Sequence, residues 1–215
     1  MQVTLKVKKF VNQLMTSNCY VIYDNDTRRC VIIDPGSEKS DREISFIRDN
    51  GLSLDYIVIS HEHTDHNWGV NSLVDQFPSA ELVCSEICSR EVKKSNKMYF
   101  LYYYDDPDYR YVMNPPDVII AEDMAETYWD NHIIQYVLTP GHSHGAMCIK
   151  IDNMLFTGDT IMPFKPYFNG RDSNVEDWEE SIQKILKLSP VDMMVYPGHG
   201  DVLTLEEWES HFYGK

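Results

Sequence analysis

Basic residues are scarce in this sequence. Nineteen lysines and arginines stand against 34 aspartates and glutamates, for a formal charge of −15. A field of that sign repels phosphate backbones and anionic membrane surfaces, which argues against a general nucleic-acid binder. Long apolar runs are absent too. None approaches the roughly 20 residues that a membrane helix needs. The N-terminal MQVTLKVKKFVNQL alternates where a signal peptide would be continuously apolar. The chain therefore reads as soluble and cytoplasmic. Its five cysteines are scattered, and Cys84 and Cys88 are the one close pair. With no second pair to complete a thiolate cage, all five read as partly buried free thiols. No internal repeat, low-complexity tract or long linker is present. At 215 residues, 43% hydrophobic and 25% charged, the composition is globular, and a single domain over 1–215 is expected.

Strand and helix signals alternate along that length. Residues 3–11 alternate in polarity, and 19–23 and 30–33 are short apolar runs joined by a hairpin turn over 24–27. Apolar periodicity predicts helices over 41–49, 69–76, about 85–94, 175–188 and 205–212. The last opens on Thr204 with Glu207 three residues on, a capping-box pattern. Further strands are predicted at 56–59, 80–84, 133–138, 146–151, 154–156 and 193–196. Four of them, ending near Ile59, Leu138, Phe156 and Tyr196, run into a loop that begins with or carries histidine or aspartate. Strand ends on a packed sheet can hold side chains at one point in space, which a metal site requires.

The chemistry concentrates there. His61-x-His63-x-Asp65-His66 places four donors within six residues, and in an extended or turning loop they divide between two sides. That spacing suits two adjacent metals better than one. His142, Asp159 and His199 are the remaining donors, each beside a glycine that lets backbone approach closely. All seven donors are nitrogen or oxygen, which suits zinc, iron or manganese and not a structural thiolate zinc. His132 and His211 read as surface or satisfied core residues. For His144, two positions past His142, no ligand slot remains. Glu62 alternates with its histidine neighbours and is expected to point away from the metals.

These motifs resemble the metallo-β-lactamase superfamily, and within it the branch similar to glyoxalase II. The matching segments are Ser17-Asn-Cys-Tyr20, Ile33-Asp-Pro-Gly36, Ser60-His-Glu-His-Thr-Asp-His66, Thr139-Pro-Gly-His-Ser143, Phe156-Thr-Gly-Asp-Thr160, Gly170-Arg-Asp172 and Tyr196-Pro-Gly-His-Gly200. The resemblance implies an α/β fold, a four-layer αββα sandwich of two mixed sheets with the metals at one edge. It also implies a ligand set. His61, His63 and His142 would hold the first metal, Asp65, His66 and His199 the second, and Asp159 would bridge them. The reaction so implied is hydrolysis of a small ester-like substrate, a thioester or lactone first, by a hydroxide bridging two divalent metals. Zinc is the expected metal, with iron or manganese as alternatives, and Asp65 would orient the hydroxide.

Departures from the family's branches narrow the choice. Asp159 stands where many true β-lactamases of this fold carry a cysteine, so antibiotic hydrolysis is not favoured. Flavin-linked diiron reductases show a glutamate at the place of His63 and append a flavin domain. Glyoxalase II adds a C-terminal helical domain that grips glutathione, for which no length follows His199. Two other readings stay open: a sulfur dioxygenase working with one iron, and a metal-stabilised binding or sensor protein without turnover.

The unusual stretch is Met98 to Met113, which holds six of the 14 tyrosines. Within an insertion over about 96–116, Tyr102, Tyr103 and Tyr104 are expected to form a lid over the metals or a contact between copies of the chain. Asp105-Asp-Pro-Asp108 would fold the segment back on itself. Lys165 is a candidate for contact with an anionic substrate, and Arg171 for a structural ion pair.

Overall fold

Apolar runs of four to six residues, too short for helices, become strands, and the periodic segments between them become the helices that cover them. The computed structural model describes residues 5–92, 109–168, 171 and 173–213. They contain twelve strands and six helices, in two compact units, residues 1–84 with 88–119 and residues 85–87 with 120–215.

The first unit is built on a mixed sheet of six strands in the order β1-β2-β3-β4-β5-β6. These are β1 (Lys6–Val11), β2 (Asn18–Tyr23), β3 (Arg29–Ile33), β4 (Ser53–Val58), β5 (Glu81–Ser85) and β6 (Val118–Ile120). Short turns make β1, β2 and β3 antiparallel, with Lys6 opposite Tyr23 and Tyr20 opposite Ile33. The steps β3 to β4 and β4 to β5 are parallel and need crossovers. Helices α1 (Asp41–Asp49) and α3 (Val70–Gln76) supply them, with the single turn α2 (Thr64–Asn67) ahead of α3. Helix α1 ends at Asn50 and at Gly51, whose φ is 60°. Ile44 and Ile47 of α1, Val70 and Leu73 of α3, and Cys88 of α4 (Glu86–Glu91) share one core cluster with the sheet's Val21, Ile32 and Ile57.

The second unit carries six strands in the order β12-β11-β10-β9-β8-β7. Strands β7 (Met124–Trp129), β8 (His132–Leu138), β9 (Met147–Ile151) and β10 (Met154–Gly158) form an antiparallel meander. The β9–β10 hairpin turns at Asp152 and Asn153, with Asp152 at φ of 53°. Strand β11 (Met194–Pro197) lies parallel to β10 after the crossover α5 (Val175–Leu188). The two-residue β12 (Leu203–Thr204) leads into α6 (Leu205–Tyr213). Trp178, Ile182 and Ile185 of α5 and Trp208 of α6 bury against Val137, Leu155 and Val195 of this sheet.

Four elements depart from the sequence expectation, among them the two-residue β12. Residues 64–67 form a helical turn where a loop is expected, because four residues leave no periodic trace. Strand β6 is three residues long, and β7, at the edge of its sheet, exposes Met124, Glu126 and Tyr128. The one is too short, and the other too mixed, for the patterns that reveal the longer strands. The other expectations for single residues largely hold. All five cysteines are buried and free, and burial pushes the Cys148 thiol up to about 11. His132 is buried, its Nδ1 2.8 Å from the Asp152 carboxylate, and His144 and His211 are exposed. Tyr102, Tyr103 and Tyr104 and the Asp105–Asp108 turn lie outside the described residues. Among the described residues, no helix is long and apolar enough to cross a membrane.

The α6 capping box forms reciprocally. The Thr204 N–H donates to Glu207 Oε2 at 2.7 Å, and the Glu207 N–H to Thr204 Oγ1 at 3.1 Å. Replacing Thr204 by alanine is expected to destabilise the protein by about 1 kcal/mol, measured as a lowered thermal midpoint.

Candidate metal centre

In the first unit the donors sit just past β4 and in α2. His61 Nε2 and His63 Nδ1 are 2.9 Å apart, and the His61 ring lies 4.2 Å, centroid to centroid, from that of His66. His66 Nε2 is 3.4 Å from Asp65 Oδ2. His61, Asp65 and His66 are all buried, and His63 is half-buried. Crowded imidazoles need fixed protonation, and one carboxylate provides it. Asp34, buried at the end of β3, accepts from the Ser60 N–H at 2.7 Å and the Ser60 hydroxyl at 2.6 Å, and meets His66 Nδ1 at 3.0 Å. The His66 proton is thereby placed on Nδ1, so that Nε2 carries the lone pair. Ser60 Oγ is 3.0 Å from His61 Nδ1. Since that hydroxyl donates to Asp34, it accepts from His61, whose Nε2 also becomes a lone-pair nitrogen. Asp34 has φ of 55°, in the left-handed region that aspartate tolerates better than most residues.

The loop backbone is clamped with similar closeness. The Asp65 carbonyl accepts from the Ser17 hydroxyl and, at 3.4 Å, from Asn12 Nδ2. A Cβ on Gly36 would lie 1.5 Å from that carbonyl oxygen, so only glycine fits there.

In the second unit, Asp159 Oδ2 lies 3.3 Å from His142 Nε2 and 3.6 Å from His199 Nε2. One carboxylate oxygen is therefore faced by two imidazoles. The N-terminal half of α5 holds the loops that carry His142 and Asp159. The Asn174 N–H donates to the Gly141 carbonyl at 2.8 Å, Ser181 Oγ to the Pro140 carbonyl at 2.7 Å, and Trp178 Nε1 to the Thr160 carbonyl at 2.7 Å. Gly141 has φ of 147°, and a Cβ there would lie 2.3 Å from Trp178 Cα. The Gly198 N–H closes the third loop onto the Gly158 carbonyl at 2.7 Å.

Each unit thus brings its own predicted donors together: His61, His63, Asp65 and His66 in one, His142, Asp159 and His199 in the other. The donors are nitrogen and oxygen alone, buried or half-buried, and within each unit stand 2.9–3.6 Å from a neighbour. That chemistry fits a divalent cation of borderline hardness. Lys165 and Arg171 are exposed. Sequence reasoning gave no role to Asp34, although it stands in the Ile33-Asp-Pro-Gly36 match, nor to Ser60. Trp178 carried no role beyond the periodicity of the helix predicted over 175–188. Asp34→Asn keeps an oxygen for the Ser60 N–H but loses the carboxylate that meets His66. It is expected to weaken zinc binding about 10- to 100-fold, measured by competition with a chromophoric chelator.

Comparison with known proteins places the chain in a family. The family model "Metallo-beta-lactamase superfamily" matches residues 13–199, a span that holds all seven donors. The chain is 31% identical over 192 residues to "Probable polyketide biosynthesis zinc-dependent hydrolase BaeB" of Bacillus velezensis, covering 89% of this chain and 76% of that protein. It is 26% identical over 213 residues to "Hydroxyacylglutathione hydrolase" of Francisella philomiragia, covering 96% and 70%. Among solved structures, the crystal structure of BLEG-1 B3 metallo-beta-lactamase matches with a TM-score of 0.81 at 22% identity, covering 96% of this chain and 97% of that one. Two mixed six-stranded sheets with their helices, and a family match over most of the length, make this chain a member of the metallo-β-lactamase superfamily.

Proposed function

We propose that this protein is a metal-dependent hydrolase of thioesters or related small esters, holding two divalent cations, zinc first. The observation that carries the reading is the donor set. Seven nitrogen and oxygen donors lie within the family match, and the buried Asp34 carboxylate sets two of the imidazoles with Nε2 ready to ligate. Relatives of this chain are a zinc-dependent hydrolase and a hydroxyacylglutathione hydrolase by name. His61, His63 and His142 would hold one cation and Asp65, His66 and His199 the other. Asp159 would serve both, since a carboxylate can span metals about 3.5–4 Å apart. Bound cations supply Lewis acidity, lowering the pKa of water towards neutrality and polarising the carbonyl under attack.

The side chains do the rest. Asp65 is the chain's own base: its carboxylate orients the attacking water and takes up its proton, and its backbone is fixed by Ser17 and Asn12. All five thiols are buried; burial pushes those of Cys19, Cys30 and Cys148 above their ordinary value, and a hydrogen bond with Cys84, then burial, does so for Cys88. None of these four is an activated nucleophile. Tyr102, Tyr103, Tyr104 and Lys165 are proposed as substrate contacts.

Protein purified without chelator is expected to carry about two divalent metals per chain and to cleave a model thioester without oxygen. Elemental analysis and anaerobic turnover measure the two. His63→Ala should lose metal and at least about 100-fold in rate. Oxygen uptake with a persulfide substrate, with a single iron per chain, would sink the hydrolase reading. Failure of a panel of thioesters, lactones and esters on fully loaded protein would favour a sensor.

A further inference from the structure

The described end of the tyrosine-rich segment touches the donor loop. Residues 109–114 run beside α2 and α3, and side chains tie them down. The Asn71 carboxamide donates to the Val112 carbonyl at 2.9 Å and accepts from the Asn114 N–H at 2.8 Å. Trp68 Nε1 donates to the Tyr109 hydroxyl at 3.2 Å, and that hydroxyl to Glu38 Oε1 at 3.2 Å. The Tyr111 hydroxyl donates to the Asn67 carbonyl, at the last residue of α2. Tyr109 and Tyr111 also pack against Leu14 and Trp68, both almost fully buried.

A helix of one turn does not hold itself. Ordering its residues costs more than its one or two internal hydrogen bonds return, and its last carbonyls need outside partners. Here the turn has a staple at each end. The Asn67 carboxamide, on a residue 1% exposed, donates to the Glu62 carbonyl at 3.0 Å and the His63 carbonyl at 2.9 Å, at the start of the turn. The Asn67 carbonyl, at its finish, is met by Tyr111. The donors enclosed are His63, Asp65 and His66.

We propose that Tyr111 is a positioning residue for the metal donors, acting through Asn67 on the turn that presents His63, Asp65 and His66. This rests on the metal reading above. Burial raises the Tyr111 hydroxyl well above its ordinary value, so it remains a donor throughout the neutral range. Tyr109, in the same segment, bonds the Trp68 side chain and Glu38. It is the internal control. The tyrosine-rich segment thereby carries one end of the support that fixes the donors, whatever its other residues contact.

The experiment uses the full chain and zinc alone as the probe. Wild type, Tyr111→Phe and Tyr109→Phe are titrated against a chromophoric chelator, and the thermal midpoint of each metal-free protein is recorded. Both variants keep the ring and its packing. Tyr111→Phe is expected to bind its weaker zinc about three- to tenfold less tightly, the equivalent of one neutral hydrogen bond, and Tyr109→Phe to stay within about twofold of wild type. Adding Asn67→Ala to Tyr111→Phe should cost less than the product of the two single effects, because they act on one turn. A lowered midpoint for metal-free Tyr111→Phe with unchanged zinc affinity would make the bond merely structural and overturn the proposal. Equal losses in Tyr109→Phe would overturn the specific route through Asn67. Wild-type protein that binds no zinc would sink the metal reading together with this one, whereas equal binding by wild type and Tyr111→Phe would sink this one alone.

Discussion

Donors that converge before any cation arrives must be held against their own repulsion and their own desolvation, and the rest of this structure depends on how that is done. An imidazole ligates through a lone pair, so the proton on its other nitrogen has to be placed by a neighbour. In the first unit one buried carboxylate does this for two rings. Asp34 meets His66 directly, takes both the N–H and the hydroxyl of Ser60, and through that hydroxyl orders His61. An aspartate buried away from water is costly unless its oxygens are bonded. Here each bond that satisfies it also fixes part of the donor loop.

Close backbone approach is the second device, and each unit uses it in its own way. In the first, Gly36 lies so near the Asp65 carbonyl that no side chain fits, and Asn12 and Ser17 hold the same carbonyl by hydrogen bonds. In the second, Gly141 lies against the backbone of Trp178, and the Trp178 indole reaches the loop that follows Asp159. A helix placed by its apolar stripe is in this way also the brace for two loops. Packing energy from Trp178, Ile182 and Ile185 fixes α5, and the helix passes that rigidity to His142 and Asp159 through three hydrogen bonds to their loop backbones. Loops positioned by a rigid scaffold can carry chemistry that loops alone cannot.

Much of this was legible in the sequence because it follows from local rules. Helices α1 and α5 occupy 41–49 and 175–188 as their periodicity predicts, and the α6 cap forms between Thr204 and Glu207. The four strands expected to end in donor loops do so, at Val58, Leu138, Gly158 and Pro197. Strands β6, β7 and β12 and the turn α2 escaped because strands of three and two residues, a polar edge strand and a four-residue helix are all shorter or more mixed than the patterns that reveal elements.

The sequence alone determined the donors, since residue type and spacing in His61-x-His63-x-Asp65-His66, Gly141-His142, Gly158-Asp159 and Gly198-His199 are fixed by the chain. It also determined the strands and helices whose ends carry them. Only the tertiary structure decided which side chains prepare those donors. Asp34 reaches His66 across 32 positions, Tyr111 reaches Asn67 across 44, and Trp178 reaches Thr160 across 18. The physical reason is range. Periodicity and capping act within a few residues, while a hydrogen bond between distant segments exists only after the sheet has set which strands are neighbours. Asp34 and Ser60 are partners because β3 and β4 pair in parallel and end side by side.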